Sequence, residues 1–513
     1  MPKSTITNQK NLVYLMVDLH IKGSVLDDDD SLETYSKDLS GYKVKPKMVT
    51  SPEDEEDILR IIEYSKTNSI PVTARGSGSN QSGSAVGSGI IILFHQMNHM
   101  IANEGAIIRV QPGMVYGTLD TKMRKSGLRI AYDPTSRGFC TIGGNVGTKA
   151  SGLRSVKYGT TDDSLRNVKF LDTKHGLMDT SEVLPKDLRD AILKLRDRLR
   201  KDAQVKKILR SRGNLKSSSG YNIQAFYKYN EPEEIVTHLL CGSVGTLGVL
   251  TEVEFSLVPV PRSTILYLFY FSSLKDAAVS VRGILDLHPS AMEIMDNYGL
   301  DVLRTEHGLS IPNSEMAVLM VEFDENLDRI LPTISEYAKK KSISFDVETD
   351  QHIQEELWTV RESMLQRIKH ELEKPDEKFP AFADDLGVPT EHLPDFVVDL
   401  QRIFAKEKMK AVIFGHAGEG NLHVRPMIRT DHWKETIRWL ADMLFKTTLR
   451  YGGTISGEHG SGRNRSMYLR NEWGDTVYGY FEEIKFLFDP PGLLNPDVMF
   501  TTSNPTKNLF LSG

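Results

Sequence analysis

The residues of this 513-residue chain best suited to chemistry gather toward its C-terminal end. Ala411 to Gly415, AVIFG, reads as an apolar strand that His416 ends; AGEGN turns the chain, and His423 falls in the next strand, Leu422 to Arg425. Two histidines flanking a short turn can converge on one ion. Farther on, Ser456-Gly457-Glu458-His459-Gly460 sets a carboxylate beside another histidine in a glycine-framed loop, where both can point into a cavity. His416, His423 and Glu458 with an open fourth position would form a catalytic divalent-metal set, zinc being the default for mixed nitrogen and oxygen ligands. The same histidines could instead be hydrogen-bonded structural residues, and spacing alone leaves both readings open.

Upstream, three glycine-rich stretches can lay backbone against a flat ligand. Val72 to Val86, VTARGSGSNQSGSAV, has four serines and three glycines between Gly76 and Ser84. Its successive N–H groups can turn inward as an anion-binding nest, and Arg75 adds a positive charge at the mouth. Ile70 to Thr73 reads as a strand before this loop and Ile90 to Phe94, IIILF, as a buried strand after it. No helix follows the glycines, and their spacing is wrong for GxGxxG, which excludes a Rossmann dinucleotide loop; no Gly-Lys-Ser or Gly-Lys-Thr closes it, which excludes a P-loop. Asp133 to Tyr158, DPTSRGFCTIGGNVGTKASGLRSVKY, holds five glycines, and Gly242 to Leu250, GSVGTLGVL, is the third stretch. A flexible linker or a set of tight β-turns would account for one of these stretches more easily than for three.

The elements that must carry these loops are mixed helix and strand. Ser51 as N-cap and Pro52 at the first position predict a helix running through Ile58, Ile61 and Ile62 toward the first loop. Val168 to Leu171 and Thr251 to Leu257 read as strands. Lys186 to Lys216 carries 12 basic and four acidic residues with Leu188, Ile192, Leu195 and Leu199 at helical spacing, which fits a solvated helix packing one apolar stripe, or a basic surface for an acidic electron acceptor or anionic lipid. After about Pro261 the texture becomes antiparallel: strands Thr264 to Phe271, Met292 to Met295 and Ala317 to Phe323, with helices Leu274 to Leu287 and Asn326 to Lys341. Asn8 to Leu19 reads as a short amphipathic helix. A formal charge of −6 and a pI near 6.2 argue against nucleic acid as the main partner. Two cysteines, Cys140 and Cys241, exclude an iron–sulfur domain on this chain and make a disulfide framework improbable. With neither a signal-peptide pattern nor 18 consecutive apolar residues, the expectation is a cytoplasmic protein without a transmembrane segment, or one associated with the inner face of a membrane.

The ordered motifs RGSGSNQSGSAV at Arg75, DPTS at Asp133, TIGGNVGTKASGLRSVKYG from Thr141, SSGYN at Ser218 and GSVGTLGVLTE at Gly242 resemble one flavoprotein family. It is the family with the vanillyl-alcohol oxidase or p-cresol methylhydroxylase (PCMH) type of FAD domain, in the branch of D-lactate dehydrogenases, the glycolate oxidase flavin subunit and D-2-hydroxyglutarate dehydrogenases. The resemblance runs over roughly residues 45 to 500. It implies an α+β chain: an N-terminal extension (1–44), a two-part PCMH-type FAD-binding domain (45–261), an antiparallel-sheet α+β substrate or cap domain (262–455), and a C-terminal segment (456–513) returning to the flavin. It also implies that Arg75, Gly76, Ser77, Gly78, Ser79, Asn80, Gln81 and Ser82 hold the FAD pyrophosphate, with Pro134 and Thr135 nearby. Thr141, Gly143, Gly144, Asn145, Gly147, Gly152 and Tyr158, together with Gly245, Thr246, Gly248 and Val249, would line the isoalloxazine and adenine parts, and Asn495 would complete the site. The first loop lacks a histidine, so the FAD is expected to be noncovalent.

GHAGEGNLH and GEHGSGR match family motifs through which some members bind zinc. The resemblance makes His459 the base that removes the alcohol proton, Arg361 of LWTVRES the clamp on the substrate carboxylate, and Asn421 a further catalytic residue. The implied activity is an FAD-dependent dehydrogenase of a small D-2-hydroxy acid, D-lactate or glycolate, whose electrons pass to a cytochrome, quinone or electron-transfer flavoprotein; a homodimer is compatible with it. An alkyl-glycerone-phosphate synthase-like transferase would carry a histidine-rich triplet where this chain has Gly457-Glu458-His459, and a non-enzymatic flavin subunit would not need Arg361, His416, His423, Glu458 and His459 together. In the 2-hydroxyglutarate branch a lysine binding the second carboxylate stands where this chain has Ala383. A monocarboxylate is therefore expected, unless another basic residue reaches the same place.

Overall fold

Segments that are apolar at every position, such as Ile90–Leu93 and Ile265–Phe271, make strands only where both faces are covered. The computed structural model, which describes residues 19–307, 311–501 and 503–511, covers them in this way. The helix expected over Asn8 to Leu19 lies outside these residues apart from Leu19.

The chain builds three main sheets. The first is four-stranded, in the order Ser24–Leu26, Met48–Ser51, Ile90–Leu93, Val72–Arg75, its last three strands parallel. Helix Glu55–Asn68 packs on it through Ile58, Ile61 and Ile62. That helix begins later than Ser51 and Pro52 suggested. Ser51 pairs with Ser24 at the end of a strand, and the Asp54 carboxylate, accepting from the Asp57 N–H, caps the helix instead. The second sheet is six-stranded and antiparallel, with Val249–Pro259 at its centre between Ile107–Val110 and Leu165–Asp172. Helix Lys186–Lys201 seats Leu188, Ile192, Leu195 and Leu199 in this core. The basic stretch then breaks at Asp202, whose carboxylate caps a second helix, Ala203–Arg212.

The third sheet holds seven antiparallel strands in the order Ser344–Glu348, Ile265–Phe271, Ala317–Phe323, Ala291–Met295, Ala411–His416, Asn421–Pro426, Asp385–Gly387. Helices Leu274–Leu285, Leu393–Lys406 and Trp433–Arg450 cover one face. Asn297–His307 and Gln351–Leu372 cover the other, which turns toward the glycine-rich loops.

After the loop at Ser456 the chain leaves this sheet. Helix Leu469–Phe488 buries Trp473, Val477, Phe481 and Phe488 in the core of the six-stranded sheet, and Leu494 then bridges to Val72 beside the first loop. Arg212 and Arg198 fasten the basic helices to it through Glu472 and Glu483, at 2.7 and 2.6 Å. Phe481 is fully buried, its ring centroid 5.6 Å from Tyr221 and 5.4 Å from Trp473. Truncating a fully buried phenylalanine costs about 3–5 kcal/mol. Phe481→Ala should therefore lower the urea midpoint by that much stability without changing the slope of the transition, as followed by circular dichroism.

Candidate active site

Register alone gathers much of the chemistry on one sheet face. Paired residues of antiparallel strands project to the same side, and so do residues two apart along a strand. Glu293 pairs with His416, His416 with Asn421, Phe414 with His423, Val412 with Arg425, and Asp385 with His423. Glu293, Phe414, His416, Asn421, His423, Arg425 and Asp385 thus share the face that looks toward the glycine-rich loops.

Asp385 fixes the second piece of the site. Its fully buried carboxylate accepts from the backbone N–H of Glu458 at 3.0 Å and of His459 at 2.8 Å, from Ser456 Oγ at 2.8 Å, and from Asn421 Nδ2 at 2.9 Å. A buried carboxylate is tolerated only when donors surround it, and here they pin the Ser456–Gly460 loop to the sheet. Gly457 is required at the contact, since a Cβ there would sit 2.5 Å from the Asn421 amide.

Around this anchor the titratable groups converge. Glu458 lies 3.2 Å from His416 Nε2 through Oε2 and 3.2 Å from His423 Nε2 through Oε1; His459 Nε2 is 3.9 Å away. Behind His416, Nδ1 lies 2.5 Å from Glu293 Oε1, which aims Nε2 at Glu458. Burial opposes charge on His416, but the Glu293 and Glu458 carboxylates outweigh it and hold its pKa at about 9. Burial holds His423 below the ordinary imidazole value. His459 is raised despite burial, because Asp385 and Asp384 lie behind its Nδ1 at 3.9 and 3.8 Å. Glu458 stays well below the usual carboxylate range against the cost of burial, through His416 and Lys216. Lys216 Nζ reaches Glu419 at 2.9 Å and Glu458 at 3.5 Å.

Two overlapping trios, His416–His423–Glu458 and Asp384–His423–His459, each bring their candidate ligand atoms within 4.8 Å of one another. Ligands of a tetrahedral ion at about 2.0–2.2 Å stand about 3.3–3.6 Å apart. The two 3.2 Å His–Glu separations in the first trio are close to that spacing, and the carboxylate behind His416 is the usual support of a metal-ligating imidazole.

Above this face lies a cavity of about 390 Å³. From the first loop it is lined by Arg75, Gly76, Ser77, Gly78, Ser79, Asn80 and Gln81; from the second stretch by Pro134, Thr135, Thr141, Gly143, Gly144, Asn145 and Gly147; from the third by Gly245 and Gly248. His423, Glu458, His459, Arg361, Phe414 and Arg425 close it on the sheet side. The walls fit a flat, extended ligand. Gly78 at φ +77° and Gly245 at φ +72° hold backbone turns that larger residues resist, and a Cβ on Gly147 would meet nothing within 4 Å. Buried Asn145 Nδ2 has no hydrogen-bond partner. The first loop is also stitched to the Glu458 loop: Asn80 Oδ1 accepts from the Ser82 and Ser84 N–H groups, both at 2.9 Å, while Asn80 Nδ2 and Ser82 Oγ donate to the His459 carbonyl at 3.2 and 3.1 Å.

Several expected site residues lie behind the cavity wall. His416 and Asn421 form the layer beneath it. Ser82 and Asn495 tie loops together, the Asn495 amide donating to Ser84 O at 2.9 Å and Val244 O at 2.7 Å. Gly152 lets the chain pass Asp133, whose carbonyl would lie 1.9 Å from a Cβ. Thr246 Oγ1 donates to Ser243 O at 2.7 Å, and Val249 opens a buried strand. Tyr158 turns away to Asp324, with Arg129 4.2 Å above its ring. Arg361 reaches the cavity half engaged: Nε and Nη2 donate to Glu293 Oε2 at 3.0 and 2.5 Å, and the guanidinium lies 4.9 Å from the Phe414 ring centre. Ala383 is buried within an apolar cluster and does not line the cavity. Glu293, Lys216, Asp384, Asp385 and Arg425 were not among the expected site residues, because their roles come from pairing partners remote in sequence.

Comparison with known proteins agrees with this architecture. Residues 46–181 match the FAD binding domain family and residues 260–499 the C-terminal domain family of FAD linked oxidases. The D-lactate dehydrogenase of Anaerostipes hadrus is 29% identical, the match covering 88% of this chain and 89% of that protein. The glycolate oxidase subunit GlcD of Bacillus subtilis is 28% identical over 90% of each. The D-2-hydroxyglutarate dehydrogenase of Escherichia coli is 26% identical over 90% of this chain and 49% of its own length. Among solved structures, p-cresol methylhydroxylase (TM-score 0.68, 13% identity, 97% of this chain and 98% of that one) and the 4-ethylphenol oxidase of Gulosibacter chungangensis (0.68, 16%, 98% of each) share the fold. The chain is a PCMH-type flavoprotein belonging to the FAD-linked oxidases. Within them it is an FAD-dependent oxidoreductase of the D-lactate, glycolate and D-2-hydroxyglutarate dehydrogenase type. Among the described residues no helix is long and apolar enough to cross a membrane.

The open space at Gly147 gives a clean test of the cofactor cavity. The residue lies inside helix Ile142–Thr148, where replacing glycine stabilises by up to about 1 kcal/mol. Gly147→Leu should therefore yield a colourless protein that releases no FAD on denaturation while its apo form melts no lower than wild-type apoprotein.

Proposed function

We propose that the protein oxidises a D-2-hydroxy acid to the 2-oxo acid. The observation that carries this reading is the convergence, at one end of a cavity suited to FAD, of a half-engaged arginine, an imidazole backed by carboxylates, and a His–His–Glu trio. FAD, when bound, would supply the two-electron acceptor, to be reoxidised by a cytochrome, quinone or flavoprotein. Arg361 holds the substrate carboxylate with the donors that Glu293 leaves free, which turns C2 toward the cofactor. His459 takes the hydroxyl proton on Nε2, and Asp384 and Asp385 behind Nδ1 stabilise the imidazolium so formed. His416, His423 and Glu458 would hold a divalent ion, zinc by ligand type, which supplies polarisation of the hydroxyl. Lys216 balances Glu458 and Glu419 beneath the trio.

Anaerobic titration should bleach the flavin with D-2-hydroxy acids and leave it oxidised with their L-enantiomers; bleaching by neither, after dithionite has shown the flavin reducible, refutes the assignment. His416→Ala and His423→Ala should each lose metal by elemental analysis, keep FAD, and lower kcat by about a hundredfold or more, as the loss of several kcal/mol of charge stabilisation requires. Normal turnover by metal-free variants would make the histidines structural.

A further inference from the structure

One cation on the cavity wall has no task in the chemistry above. Arg425 lies on the same strand face as His423 and two residues beyond it, about 7 Å along the strand. It is 4% exposed and lines the cavity. Only Nη2 is engaged, with Asp384 Oδ2 at 2.5 Å and with Gln81 Oε1. Nε is buried without a partner, and among the described residues Nη1 makes no hydrogen bond. Asp384 does not neutralise it alone, since the same carboxylate also serves Arg465 Nη2 at 3.1 Å and faces His459 Nδ1 at 3.8 Å. Gln81 accepts from Arg425 through its carbonyl oxygen, so the amide turns its N–H₂ end away from the arginine, and that group too has no hydrogen bond among the described residues. The patch is rich in donors and short of acceptors.

A buried guanidinium left partly unpaired beside a cavity costs stability unless a ligand completes it. We propose that Arg425 binds a second carboxylate at the far end of the substrate, so that the preferred substrates are short D-2-hydroxy dicarboxylates; this rests on the reading of the site as a 2-hydroxy acid dehydrogenase. Arg361 holds the carboxylate next to C2, His459 faces the hydroxyl, and the side chain of the acid runs along the strand from His423 toward Arg425. The arginine supplies the charge that Ala383, absent from the cavity wall, does not.

The test is kcat/KM of the FAD-loaded protein for D-malate, D-2-hydroxyglutarate and D-lactate with an artificial acceptor. It is paired with dissociation constants for 2-oxoglutarate and pyruvate from the shift of the flavin spectrum. Wild type should favour at least one dicarboxylate over D-lactate by tenfold or more. Arg425→Gln should shrink that ratio about ten- to a hundredfold, as loss of a charge-assisted hydrogen bond implies, and weaken 2-oxoglutarate more than pyruvate. Arg425→Lys keeps a cation for Asp384 and so carries the test if Arg425→Gln does not fold; its ratio should fall between the two. A wild-type preference for D-lactate over both dicarboxylates, or ratios unchanged within twofold in both variants, would overturn the proposal. If no D-2-hydroxy acid reduces the flavin, the parent reading fails, and the two binding constants still decide whether Arg425 selects a second carboxylate.

Discussion

A single buried carboxylate organises the reactive end of the molecule. Asp385 has no access to solvent, and its charge persists because two backbone N–H groups, a hydroxyl and an amide surround it. Those donors belong to segments with no local reason to meet: Asn421 follows the hairpin turn, and Ser456, Glu458 and His459 come after a long helix. Satisfying one anion is what sets the distance from His459 and Glu458 to the sheet. An apolar or shorter side chain there would leave those N–H groups buried and unpaired, so the cost would fall on the loop that carries the chemistry.

Around this anchor, opposite charges alternate from side chain to side chain: Arg361 to Glu293, Glu293 to His416, His416 to Glu458, Glu458 to Lys216, and Lys216 to Glu419. Arg361, Glu293, His416 and Lys216 are buried and Glu458 and Glu419 partly so, and in a medium of low polarity an unpaired member would be costly. Side chains so held have little freedom to turn, and the floor of the cavity is preorganised as catalysis by positioning demands.

Much of this was legible in the sequence, and the reasons it was not wholly so are physical. The hairpin bearing His416 and His423 announced itself because an apolar run, a glycine-rich turn and a second apolar run are local signals. So did the three glycine-rich walls. The start of the helix after Ser51 was misjudged because a strand pairing with Ser24 outweighed a favourable capping dipeptide. Glu293 stood 123 residues from the histidine it supports, a partnership that only strand register creates. Ala383 bears on substrate charge in the sequence but does not line the cavity, while Arg425, unremarkable in sequence, occupies the wall. The folded strand decides which of two nearby residues a ligand can meet, and composition does not reveal that choice.

The link between Asn495 and the first loop bears on the order in which the molecule is assembled. Thr73 donates to the Asn495 side chain across 422 positions, and the Asn495 amide closes on Ser84 across 411. Leu494 runs beside Val72 in the same place. Synthesis runs from N- to C-terminus and delivers the glycine-rich loop 411 residues ahead of the Asn495 amide that closes on it, so the nascent chain holds an incomplete cavity over that interval. The cavity reaches its final geometry only once Asn495 has been made, and any truncation short of Asn495 removes the clamp from a site whose contact loops are all present.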